Sequence, residues 1–120
     1  MGFLRRRTNG SVSGLPPEDA QLLKQLRQQG ADLAEPRHVL HYSYFPSEHT
    51  TRLAAEAADA NGWSTAVSEP LPDFPGQWSM RAERPDVVLS DDVVRDSTDF
   101  FQALAAEHSG EYDGWEAAVR

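Results

Sequence analysis

The sequence predicts an α+β domain in which one helix precedes a βαββαβ unit, the ferredoxin-like layout of a four-stranded antiparallel sheet with helices on one face. Three observations carry this expectation. Apolar residues recur at helical spacing in three stretches that open on a proline or a capping serine and close on glycine. Between them lie stretches of strand length that either alternate apolar with polar residues or are dense in β-branched and aromatic ones. The two central strand-like stretches are joined locally by the Pro/Gly-rich EPLPDFPGQ, as a hairpin requires.

The first helix is expected in EDAQLLKQLRQQG, with Pro17 at its start and Gly30 as a left-handed cap. Leu22, Leu23 and Leu26 form its apolar stripe, and Asp19 and Lys24 are assigned off it. RHVLHYSYF, Arg37 to Phe45, reads as the first strand and Pro46 ends it. Ser47 caps an Ala-rich helix that stops at Asn61-Gly62, and its small side chains would let it lie close to a sheet. WSTAVSE, Trp63 to Glu69, is the second strand. Trp78, Met80 and Ala82 alternate with Ser79, Arg81 and Glu83 in the third. Ser90 caps the third helix, which carries acids in its first turn and ends at Gly110, and GWEAAVR forms a closing strand.

A chain of 120 residues can bury one core but not two. One domain is therefore expected over residues 15–120, preceded by a flexible basic tail, residues 1–14, that holds Arg5, Arg6 and Arg7. No apolar run reaches a membrane span, the N-terminus lacks the pattern of a secretory signal, and there is no cysteine. These features point to the cytoplasm, with no membrane partner, and remove thiolate chemistry.

Net charge is −8, and between Asp86 and Val119 nine acids stand against Arg95 alone. A surface of this kind repels phosphate backbones, so no direct nucleic-acid binding is expected, and it steers toward a basic partner. Asp92, Asp96 and Asp99 share a helix face; the plain account is a solvated face favoured by the helix dipole, and the functional one is a docking surface. His38 and His41 have HxxH spacing, but on a strand they point to opposite faces and cannot chelate one ion without a bulge. Phosphate-binding glycine loops, nucleophile elbows and metalloprotease motifs are missing, so neither enzymatic activity nor a metal or other cofactor is expected. The alternative reading is a small-molecule-binding or enzymatic domain with a pocket beside Tyr42, Tyr44 and His41 on the first strand.

In GEYDGW, Gly110 suits a left-handed position after the helix, Asp113-Gly114 is a turn signal, and Tyr112 and Trp115 are packing aromatics that close the core. The segment EYDGWEAAV, preceded by the SDDVVRDSTDFFQALAAEHSG helix, resembles the regulator of ribonuclease activity B family, a bacterial domain. QQGADLAEPRHVLHYSYFPSE and the helix ending in Asn61-Gly62-Trp63 resemble it too, so the likeness spans Glu18 to Val119. Its most specific part is Tyr112-Asp113-Gly114-Trp115, and these with Gly110 are read as structural residues. The resemblance implies a ferredoxin-like fold and a non-enzymatic protein that binds the endoribonuclease ribonuclease E and lowers RNA cleavage. On that reading the partner-binding residues are Asp92, Asp96, Asp99, Glu111, Asp113 and Glu116; the oligomeric state is left open.

Overall fold

The computed structural model describes residues 3–6 and 17–119. Their element order is β1 (Phe3–Arg6), α1 (Pro17–Gln28), β2 (Arg37–Phe45), α2 (Glu48–Ala60), β3 (Ser64–Ser68), β4 (Trp78–Val87), α3 (Asp91–Glu107) and β5 (Glu111–Ala118). The strands form one sheet in the order β1-β5-β2-β4-β3, and every neighbouring pair is antiparallel. From β2 onward this is the expected ferredoxin-like arrangement. The fifth strand is an addition: the tail expected over residues 1–14 instead places Phe3 to Arg6 in register with Ala118 to Trp115, covering a backbone edge that β5 would leave unpaired. Residues 1–2 and 7–14 of that tail lie outside the described residues.

Local chemistry accounts for the helix limits. The Oγ atoms of Ser47 and Ser90 accept the backbone N–H of Thr50 and Val93, each at 3.1 Å, capping α2 and α3. At the far end of α2, Gly62 takes φ +89° and the Trp63 N–H returns to the Ala58 carbonyl at 3.1 Å; α1 closes the same way through Gly30. The end of α3 differs from expectation. The left-handed residue is Ser109, φ 59°, not Gly110. Gly110 is required for proximity, since a Cβ there would stand 2.5 Å from the Tyr44 carbonyl oxygen and collide with the Phe45 ring.

All three helices cover the same sheet face. Ala54 and Ala58 bring α2 close to the sheet, and with Phe101 and Leu104 of α3 they bury Phe45, Met80 and Tyr112. Leu22, Leu23 and Leu26 of α1 pack with Val94 of α3 onto Val39, Trp115 and Ala117. Asp19 is on that stripe rather than off it, three residues before Leu22. It is fully buried, and its Oδ1 accepts the Trp115 indole N–H at 2.8 Å.

The Asp113-Gly114 pair is not a turn. β5 runs unbroken from Glu111 to Ala118, and between the pairs Tyr42↔Gly114 and Ser43↔Tyr112 it holds Asp113 as an extra residue. This is a β-bulge, and it has a specific result: Tyr112 and Trp115, three apart, would face opposite ways on a regular strand but here both turn into the core. Gly114 takes φ +122°, a conformation that side chains disfavour. Gly114→Ala is therefore expected to cost about 1–2 kcal/mol in urea unfolding; a loss below about 0.5 kcal/mol, the level of a neutral surface change, would refute the strain assigned to the bulge.

β4 also outruns the stretch predicted for it. It continues past Glu83 through Pro85 to Val87, and Pro85 is tolerated because β3 stops pairing at Glu83 and the β2 register slips between Arg37 and Val39.

Candidate functional site

The side of the sheet away from the helices is set by strand alternation. Val39, His41, Ser43 and Phe45 of β2 turn toward the helices, which leaves Tyr42 and Tyr44 on the open side. Register places Arg81 and Ser79 of β4 beside them on one flank, and Gly114 and Glu111 of β5 on the other. Tyr42 donates its hydroxyl proton to the Glu116 carboxylate, and Tyr44 reaches Asp113 Oδ2 at 3.4 Å. Further along, His38 Nε2 meets Glu83 Oε2 at 2.5 Å.

Against this face stands the connection between β3 and β4. It encloses a groove of about 610 Å³ with the two tyrosines on one side and Leu71 and Phe74 on the other. Leu71 is 67% exposed and Phe74 55%, the two most exposed large apolar side chains among the described residues. Three carboxylates line the groove, Glu69, Glu111 and Asp113, and among the described residues neither lysine nor arginine does. Its local potential is negative, with aromatic and aliphatic walls.

The expected partner-binding residues divide between two surfaces. Glu111, Asp113 and Glu116 belong to the open face just described. Asp92, Asp96 and Asp99 are exposed on α3, which lies on the other side of the sheet. The division follows from geometry: α3 covers the face into which Tyr112 and Trp115 point, while Glu111 and Glu116 alternate away from it. Two of the α3 acids have a local counter-charge, since Arg95 lies 2.9 Å from Asp92 and 3.7 Å from Asp96. Such exposed pairs contribute little to stability.

The proposed pocket beside Tyr42, Tyr44 and His41 is half present. The tyrosines do line a groove, but His41 is on the opposite side of the sheet. It is buried with its ring stacked on Phe101, centroids 4.4 Å apart, and its Nδ1 2.7 Å from the Tyr112 hydroxyl. Loss of hydration, with a smaller push from Arg84, lowers its pKa from 6.5 to about 3, so the imidazole is neutral at physiological pH. Among the described residues no three His, Cys, Asp or Glu side chains gather as a metal site would need, and no helix is long and apolar enough to cross a membrane.

Sequence reasoning missed the groove because its second wall comes from EPLPDFPGQ, which reads only as a connection. A signal was there in Leu71 and Phe74, large apolar residues in a segment with no strand or helix to bury them.

No curated protein matches the chain. The family model described as regulator of ribonuclease activity B matches residues 17–117.

Proposed function

This chain belongs to the regulator of ribonuclease activity B family, and from that premise we propose that it is a non-enzymatic cytoplasmic regulator that docks on the endoribonuclease ribonuclease E and lowers RNA cleavage. The observation that carries the reading is the open sheet face. There a negative groove, aromatic walls and two exposed apolar side chains occur together, whereas the helix-covered face is committed to the core. An interface needs such a centre with a polar rim. Glu111, Asp113 and Glu116 act at the contact. Asp92, Asp96 and Asp99 of α3 act at a distance, through the field that guides a basic partner in. The same field keeps RNA itself from binding.

The test uses purified ribonuclease E on a sensor surface, with RNA cleavage measured in parallel. Adding the protein should slow cleavage, and the complex should weaken as salt rises. Asp92→Lys, Asp96→Lys and Asp99→Lys together should reduce the association rate by roughly tenfold with little change in dissociation, as expected for charges outside the contact. No complex with ribonuclease E even at low salt would end the proposal.

A further inference from the structure

We infer that the open-face groove is a recognition site for a short arginine-bearing segment of the protein partner, an inference that rests on the docking function proposed above and supplies its chemistry. The groove offers a cation two things at once. Glu69 and Glu111 are exposed at it and have no ion pair among the described residues, so a guanidinium arriving there meets carboxylates not already neutralised. Tyr42 and Tyr44 present rings beside those carboxylates. A guanidinium is planar and weakly hydrated, and it can stack on a tyrosine while its N–H groups fork onto a carboxylate; the compact ammonium of lysine cannot do both.

The opposite wall selects the neighbour of that arginine. Leu71 and Phe74 stand in solvent at the rim, and burying them requires an apolar side chain next to the cation. The volume of about 610 Å³ suits a few side chains rather than a folded domain. Nucleic acid does not fit. Its bases could stack on the tyrosines, but its phosphates would face three carboxylates with no lysine or arginine in the lining among the described residues.

The experiment titrates the full chain into a fluorescein-labelled hexapeptide alternating leucine and arginine, read by anisotropy. Saturable binding with a Kd of tens of micromolar, roughly, is expected for a contact of this size. Citrulline in place of arginine keeps the shape and removes the charge, and should weaken binding about tenfold or more, with the lysine peptide in between. Glu69→Gln with Glu111→Gln should also cost about tenfold, and Phe74→Ser about fivefold, while circular dichroism shows the fold unchanged. Equal binding of the citrulline peptide, or no effect of the two glutamine substitutions, overturns the inference. So does competitive displacement of the peptide by oligouridylate, which would make the groove a nucleotide site. A dimer in sedimentation that Phe74→Ser dissolves would assign the groove to a second copy of the chain and overturn it as well. Capture of ribonuclease E separates this inference from the one beneath it. If wild type and the Glu69→Gln, Glu111→Gln variant capture it equally, the groove inference fails and the docking function stands. If the peptide binds through the groove but ribonuclease E is never captured, the partner is wrong and the groove stands.

Discussion

Trp115→Phe should destabilise the protein by about 3 kcal/mol, a loss far larger than its modest change in volume suggests. Trp115 is almost completely buried, and its indole N–H donates to a carboxylate, Asp19 Oδ1, that is itself fully buried. Deleting the donor leaves that carboxylate without a bond it cannot replace from solvent, and a charge-assisted bond contributes about 1.5–3 kcal/mol. The smaller ring adds an unfilled volume among Leu22, Leu23 and Leu26. Urea unfolding measures the free energy, and a fall in Tm of about 10 °C should accompany it. A second substitution checks the cause. Trp115→Phe should cost less in an Asp19→Asn background than in the wild type, because the bond it deletes there is no longer charge-assisted. If Trp115→Phe costs the same in both backgrounds, the penalty comes from packing and not from the bond. The same bond ties α1, which lies outside the βαββαβ unit, to the last strand of the sheet.

Those two residues also illustrate what the sequence discloses. Elements defined by local chemistry were legible. RHVLHYSYF is a strand with the bounds that its composition and Pro46 predict, the serine caps open α2 and α3, and Gly62 closes α2. Asp19 defeats a reading by charge: it stands at the i−3 position of the Leu22 stripe, where a buried donor 96 residues away meets its carboxylate. Asp113-Gly114 failed for a similar reason. Alone it is a turn signal, and it becomes a bulge only when β2 pairs across it. β1 follows the same rule, since a four-residue strand has no periodicity to read and exists through its pairing with β5. The six acids of the expected docking surface stand out in the sequence as charges, which does not assign them to a side of the sheet. Which side of the sheet each one occupies depends on where the helices lie, and that depends on the whole chain.

Acid should destabilise the protein well above the carboxylate range, and His41 is the reason. In the folded state burial holds the imidazole pKa at about 3, whereas in the unfolded chain it returns to 6.5. Below pH 6.5 the unfolded state therefore takes up a proton that the folded state refuses. Stability is complete above that pH and falls as pH drops from 6.5 toward 3, with a slope approaching about 1.4 kcal/mol per pH unit. Between pH 7 and pH 5 the loss from this group is about 2 kcal/mol, or about 8 °C in Tm for a domain of this size. Glutamine at the same position can still bond the Tyr112 hydroxyl but does not titrate. His41→Gln should be less stable than wild type at pH 7, and the gap should narrow by about 2 kcal/mol at pH 5. Parallel pH profiles for the two proteins would refute the assignment. An independent readout needs no variant: in a histidine NMR titration of the wild type, the His41 imidazole should keep its neutral shifts at pH 5. A histidine enclosed by Phe101, Trp63 and Tyr112 and held neutral is built for packing. Exchanging protons with a substrate would require solvent access and a pKa nearer neutrality, and it has neither. That separates the core histidine from the tyrosines one residue along the strand, Tyr42 and, two further, Tyr44, whose side of the sheet is open to a partner.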